Sequence, residues 1–263
     1  MLVTIDIGNT QTTIGLFEHD RDLPLMCWRM PTLTTDTSDS LRSRLHGYFV
    51  MDGFDISLVN DACVASVVPV LTRAWIRCFQ RMLAKDPLVV NATAAGDMPL
   101  AVDNPEGVGA DRIANAIAAI ADYGTPVIVV DFGTATNIDV VDATGAYVGG
   151  AIMPGLILSA EALFARAARL SSIPIEAPEH ALGANTEHAL QSGLVIGAAA
   201  QAEGLVARIK RELNAPDATV VGTGGLARTV SVATDLFDAV DPDLTLRGIR
   251  EIWRRQRDDG TSW

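Results

Sequence analysis

The sequence predicts an α/β protein of two similar halves with a cleft between them. Three observations carry this expectation. An apolar strand ending in a Gly- and Thr-rich turn occurs twice, at Asp6-Ile7-Gly8-Asn9-Thr10 and at Asp131-Phe132-Gly133-Thr134-Ala135-Thr136, and a single offset maps Asp6 and Gly8 onto Asp131 and Gly133. Strand-like and helix-like segments alternate in both halves, as in layered α/β architecture. The length of 263 residues exceeds one usual domain and suits two.

In the first half, Val3-Thr4-Ile5 runs into the Asp6 turn and returns through Thr13-Ile14-Gly15-Leu16-Phe17. Trp28-Arg29-Met30 reads as a third strand, followed by a Thr- and Asp-rich loop over residues 32–39. Ser38 or Asp39 is placed to cap the helix that runs through Tyr48, because a short polar side chain accepts an orphan N–H there. The apolar run Ala62-Cys63-Val64-Ala65-Ser66-Val67-Val68, closed by Pro69, reads as a buried strand before a helix over 70–83, with one more strand over 87–91. The Ala-rich segment 110–123 is a strong helix former and separates the halves, giving expected domains of 1–113 and 114–263. The second half reads as strands over 127–141 and 147–152 and helices over 156–168, 189–213 and 246–256. Residues 258–263 form a polar tail expected to fray. No Ser- or Pro-rich linker intervenes, so the halves are expected to pack closely.

Composition narrows the function. Lys and Arg total 20 against 32 Asp and Glu, a net charge of −12, which argues against a nucleic-acid footprint. A 49% hydrophobic content supplies material for two cores. Cys27, Cys63 and Cys78 have no metal-site spacing and leave one thiol over, so no disulfide framework is expected. No signal-like N-terminus and no membrane-length apolar run is read. A cytoplasmic enzyme with no membrane partner fits best.

Turns of the Asp6 and Asp131 kind aim backbone N–H and hydroxyl groups outward, and phosphate oxygens are their natural guest. One Asp-x-Gly turn alone is equally a hairpin device. Two copies sharing Asp and Thr point to a polyphosphate gripped between two halves, hence to an ATP-using enzyme. Val220-Val221-Gly222-Thr223-Gly224-Gly225 adds a third Gly-rich turn, where a missing Cβ lets backbone lie against a flat ligand or simply turns a strand into a helix. Asp6 is placed either to hold Mg²⁺ or to cap its own turn; Asp131 is its counterpart, for a second cation or to orient the first. Asp111, in Gly107-Val108-Gly109-Ala110-Asp111-Arg112, opens the Ala-rich helix. It serves either as the base for a substrate alcohol, with Arg112 gripping an anion, or as a first-turn acid that stabilises the helix. His19, His46, His180 and His188 fall outside the Gly-rich turns. Neither Gly-x-Ser-x-Gly nor a P-loop is present.

With Ala65-Ser66-Val67-Val68-Pro69, Gly149-Gly150-Ala151-Ile152-Met153-Pro154-Gly155, Asn185-Thr186, Gln191-Ser192-Gly193 and Asp241-Pro242-Asp243-Leu244-Thr245-Leu246 added, the chain resembles the type III pantothenate kinases along nearly its whole length. The resemblance implies a duplicated actin-like (ribonuclease H-like) fold and transfer of the γ-phosphate of ATP to pantothenate, the first step toward coenzyme A. It implies Asp111 as general base and Gly109, Ala110, Asp111 and Arg112 as the pantothenate segment. Thr186 would reach the substrate from the partner subunit of a homodimer. Asp6, Gly8, Asn9, Thr10, Gly133, Thr134, Gly224 and Gly225 would bind ATP and Mg²⁺, with Asp131 holding K⁺ or NH₄⁺. Three positions depart from the family pattern: Asn137 where Thr is common, Ser40 where an acid is common, and Ala184 where Lys is frequent. The alternatives are another actin-like phosphotransferase and a non-catalytic regulator of the same family.

Overall fold

The computed structural model describes residues 1–166 and 172–258. The first sheet contains β1 (Leu2–Ile7), β2 (Gln11–Phe17), β3 (Met26–Pro31), β4 (Asp61–Ser66) and β5 (Leu88–Val89), ordered β3-β2-β1-β4-β5. The second contains β6 (Val127–Phe132), β7 (Ala135–Val141), β8 (Tyr147–Pro154), β9 (Thr219–Thr223) and β10 (Ala239–Val240), ordered β8-β7-β6-β9-β10. Strand directions repeat as well. Each central strand pairs antiparallel with its hairpin partner and parallel with a crossover strand on its other side. The expected duplication is therefore a duplication of topology.

β1 and β6 read as nearly unbroken apolar runs because both of their faces are covered, and only Asp6 and Asp131 in them are not buried. Parallel pairing requires a crossover, supplied in the first unit by α1 (Ser38–Met51) before β4 and α2 (Pro69–Leu83) before β5. Pro69 occupies the start of α2, where its missing N–H costs nothing. Leu71, Trp75, Cys78 and Phe79 form the buried stripe of α2 and pack with Ile5, Leu16, Leu45 and Phe49. Burial pushes the Cys78 thiol up to about 12, as befits a core residue.

The cap of α1 is Thr37, in place of the expected Ser38 or Asp39. Its hydroxyl accepts the Ser40 N–H at 3.2 Å, while its own N–H donates to Ser40 Oγ at 2.9 Å. Ser40 thus completes the reciprocal cap that an acid makes at this position, so this departure leaves the helix start intact.

In the second unit, α4 (Leu156–Arg166) follows β8, and residues 167–168 of the helix expected there lie outside the described residues, as do residues 259–263 of the tail. The helix expected over 189–213 is α5 (Thr186–Gln191), a π-helical stretch at Ser192–Ile196, and α6 (Gly197–Glu212). Short α7 (Ala227–Ser231) follows the Gly224–Gly225 turn, in line with the reading of that turn as one from strand to helix, whereas β10 was not anticipated, being too short to show a period. The second core gathers Ile128, Val130, Phe132, Val206 and Val220.

The chain does not divide at 113/114. One compact unit is Met1–Ala118 together with the helix beginning at Leu244, and the other is Ala119–Asp243. The reason is α8 (Leu244–Asp258), which buries Leu246, Ile249, Ile252 and Trp253 and belongs with α3 (Ala110–Tyr123) and the first sheet. Thr245 Oγ1 donates to the buried Asn115 Oδ1 at 2.8 Å. The buried Arg250 donates to Asp22 Oδ1 at 2.8 Å and to the His19 carbonyl at 3.0 Å. Gly248 lies against α3 so closely that a Cβ there would stand 2.5 Å from the Ala114 carbonyl carbon. Gly248→Ala is expected to cost about 1–3 kcal/mol, read as a lower urea midpoint at unchanged slope. Wild-type stability would contradict the α3–α8 contact.

Candidate active site

The first turn follows from strand register. Asp6 sits one residue from the end of β1, opposite Thr13 on β2 and Ala65 on β4, and is half-buried. Gly8 N–H donates to the Gln11 carbonyl at 3.0 Å, which closes the turn and leaves Asn9 and Thr10 exposed at its tip. Thr32, read from sequence only as loop, is bound to this turn: its N–H donates to the Thr10 carbonyl at 2.9 Å and its Oγ1 to the Gly8 carbonyl at 2.8 Å.

In the second unit Asp131 occupies the equivalent place, opposite Asn137 on β7 and Thr223 on β9. Gly133 N–H donates to the Ala135 carbonyl at 3.0 Å, and Gly133 and Thr134 are exposed. The parallel register with β9 delivers Gly224, at φ +91°, onto the Asp131 carboxylate and the Phe132 backbone. A Cβ at Gly224 would collide with Asp131 Oδ1 and stand 2.8 Å from Phe132 backbone atoms. Gly155 is a second necessity that sequence reading named only within a motif. Its N–H donates to the Thr134 carbonyl at 3.1 Å, and a Cβ there would stand 2.5 Å from the Gly133 carbonyl oxygen. Gly225 is exposed and an added Cβ would meet nothing.

Asp111 lies in the first turn of α3, mostly buried, with Oδ1 accepting the Arg112 N–H at 2.9 Å. Burial pushes its carboxyl above the ordinary range, opposed by that N–H and by the Arg112 charge. Gly109 lies so close that a Cβ would overlap the Asp111 carboxylate. Gly109, Ala110, Asp111 and Arg112 lie together at the start of α3 in the first unit. Thr186 is exposed at the start of α5, whose cap Asn185 accepts the His188 N–H at 2.8 Å. Ala184 is exposed beside it.

Among the described residues no three His, Cys, Asp or Glu side chains gather as a metal cluster. A magnesium ion bound through one carboxylate and substrate phosphates needs no such cluster. A cavity of about 570 Å³ in the first unit, lined by Asp39, Arg42, His46, Ile56, Val59 and Met82 among others, includes none of these site residues.

Two similar α/β units, each with an Asp-bearing turn at the end of its central strand, define an actin-like fold. Solved structures share it: the activator of 2-hydroxyisocaproyl-CoA dehydratase from Clostridium difficile with bound ADPNP (TM-score 0.52, 9% identity, covering 100% of this chain and 98% of that one), and an inorganic polyphosphate/ATP-glucomannokinase from Arthrobacter (TM-score 0.51, 16% identity, 97% and 98%). A Campylobacter jejuni protein described as a Baf family transcriptional activator aligns at TM-score 0.59 with 18% identity, over 97% of this chain and 99% of that one. At such identities only the fold is shared.

The sequence resolves the family. The profile of the type III pantothenate kinases matches residues 2–208. A type III pantothenate kinase of Thermomicrobium roseum is 45% identical over 256 residues, covering 97% of each chain. One from Listeria monocytogenes is 40% identical over 257 residues, covering 98% of each. The chain belongs to the type III pantothenate kinase family.

Gly224→Ala displaces either the Asp131 carboxylate or the Phe132 backbone. It is expected to lower kcat/KM for ATP about 10²-fold, the scale of a site misplaced by about 1 Å, whereas Gly225→Ala folds with wild-type stability. Steady-state kinetics with varied MgATP decides this, and an unaffected Gly224→Ala would separate β9 from the nucleotide site.

Proposed function

We infer that this family member transfers the γ-phosphoryl group of ATP to the terminal hydroxyl of pantothenate, giving 4′-phosphopantothenate for coenzyme A synthesis. The observation that carries the catalytic assignment is Asp111, a mostly buried carboxylate at a helix N-terminus beside Arg112. The substrate hydroxyl oxygen forms the new bond to phosphorus, the bond from phosphorus to the ADP oxygen breaks, and the hydroxyl proton passes to Asp111. Gly109 leaves the carboxylate room to keep its orientation. The positive charge of Arg112, at the N-terminal end of α3, suits the pantothenate carboxylate.

The remaining roles follow from the resemblance to the family and are compatible with the donor chemistry. Asp6 holds magnesium, directly or through water, and the turns at Gly8–Thr10, Gly133–Thr134 and Gly224–Gly225 receive the nucleotide and its phosphates. Asp131, a hard oxygen donor, holds the monovalent cation, K⁺ or NH₄⁺. When bound, these ions neutralise charge that develops on the transferring phosphate. The enzyme is a cytoplasmic homodimer in which Thr186 of each subunit contacts pantothenate bound to its partner. The exposure of Thr186, with the exposed Leu182 four residues before it, supports this reading by leaving the segment open to a partner. Among the described residues, no helix is long and apolar enough to cross a membrane.

Asp111→Asn is expected to cut kcat by about 10²- to 10⁴-fold, the usual share of a positioned base. The raised carboxyl of Asp111 places the acid limb of kcat/KM above the ordinary aspartate value of about 3.9, because the protonated form cannot take the proton of the substrate hydroxyl. The same shift makes ionised Asp111 a cost: stability falls as pH rises from that ordinary value through the folded one, so the Asn variant is at least as stable at pH 7. A near-wild-type rate would remove Asp111 as the base.

The shared site is tested by mixing. Asp111→Asn and Thr186→Ala proteins, each impaired alone, are expected to recover about one quarter of wild-type activity after subunit exchange, because half the dimers of a two-fold pair then carry one intact site. No recovery with exchange demonstrated would place Thr186 in the same subunit's site or outside it.

A further inference from the structure

We propose that Thr32 is a positioning residue that sets the phosphate turn of the first unit and aims the Asn9 N–H at the nucleotide phosphates. This rests on the reading of Gly8, Asn9 and Thr10 as a phosphate turn. Thr32 follows β3, two strands away from the end of β1, yet it holds two carbonyls of the turn: Oγ1 donates to Gly8 O at 2.8 Å, and its N–H donates to Thr10 O at 2.9 Å.

The direction of the hydroxyl chain follows from counting protons. Thr32 has one hydroxyl hydrogen, and it goes to the Gly8 carbonyl. The 2.9 Å contact between Thr12 Oγ1 and Thr32 Oγ1 must then be donated by Thr12. Thr12 is only 1% exposed, so its hydroxyl finds its partner within the fold. The result is a relay with one polarity, from Thr12 to Thr32 to the Gly8 carbonyl, in which each bond strengthens the next.

Peptide planarity converts this relay into a phosphate site. In a trans peptide the C=O and the following N–H point in opposite directions. Because the Gly8 carbonyl is turned toward Thr32, the Asn9 N–H points away from it, at the tip where Asn9 and Thr10 are exposed. The same rotation keeps the Gly8 carbonyl lone pairs away from an incoming anion. Gly8 has both backbone groups engaged, its N–H with Gln11 O and its C=O with Thr32. The permissive backbone of glycine is thereby fixed before the nucleotide arrives, which is the preorganisation that electrostatic catalysis requires. The corresponding turn in the second unit is braced differently, with the backbone N–H of Gly155 donating to the Thr134 carbonyl.

Thr32→Val keeps the shape and the backbone N–H and removes the hydroxyl. Steady-state kinetics with MgATP varied at saturating pantothenate, and with pantothenate varied at saturating MgATP, are run on Thr32→Val, Thr32→Ser and Asp6→Asn, with thermal unfolding of each. The expected result for Thr32→Val is a loss of about 10-fold in kcat/KM for ATP, the scale of one lost hydrogen bond and the orientation it fixes. KM for pantothenate stays at the wild-type value, Tm stays within a few degrees, and Thr32→Ser restores the ATP kinetics. Wild-type ATP kinetics in Thr32→Val alongside a crippled Asp6→Asn would overturn the Thr32 proposal alone. Wild-type kinetics in both would overturn the phosphate-turn reading with it. A loss shared equally between ATP and pantothenate and accompanied by a fall in Tm would reduce Thr32 to a structural residue.

Discussion

The structure depends on one register constraint, the pairing of each central strand with a hairpin partner on one side and a parallel crossover strand on the other. That pairing is what puts an aspartate opposite Thr13 and Ala65 in one unit and opposite Asn137 and Thr223 in the other. A slip of one residue would turn each carboxylate to the opposite face of its sheet. Both aspartates are one residue from the end of an otherwise buried strand. Each is therefore fixed by ladder hydrogen bonds behind it and faces an exposed turn ahead of it. Chemistry at such a position inherits its precision from the sheet.

The two turns differ in length and in bracing: three residues separate β1 from β2 and two separate β6 from β7. In the second unit backbone approaches backbone, and only glycine fits at 155 and 224. In the first, the Thr32 hydroxyl, itself bonded to the Thr12 hydroxyl of β2, takes up the Gly8 carbonyl, and the Thr32 N–H takes up that of Thr10. Asp111 combines two opposed influences in the same spirit. Burial disfavours its charge, while the Arg112 N–H and guanidinium favour it. The balance leaves a carboxyl raised above its ordinary value, which moves it toward the pH where a base both exists and retains proton affinity.

Much of this was legible in the sequence, and the reasons differ by residue. Asp6, Asp131 and their turns were visible because a continuous apolar run ending in Gly and Thr is a local signal. Asp111 was visible because Gly, Asp and Arg open an Ala-rich helix. Thr32 was not, since its partners Gly8 and Thr12 lie about twenty residues away and pairing between strands leaves no local mark. The first domain was drawn too short and the second carried too far for the same reason. The amphipathic pattern of α8 announces a buried face but not the Asn115 and Ala114 surface that it covers. Ser40 showed the opposite case: a missing acid looked like a defect, and the serine hydroxyl makes the cap in its place.

Phosphoryl transfer to pantothenate is the activity proposed for the two aspartate turns and Asp111. Its most direct test is ADP release by the purified protein with MgATP, measured with and without pantothenate, in potassium and then in sodium buffer. Release that depends on pantothenate, strong in potassium and weak in sodium, is the expected result. Folded protein that releases no ADP in any of these conditions, or releases it at one rate whether or not pantothenate is present, would contradict it.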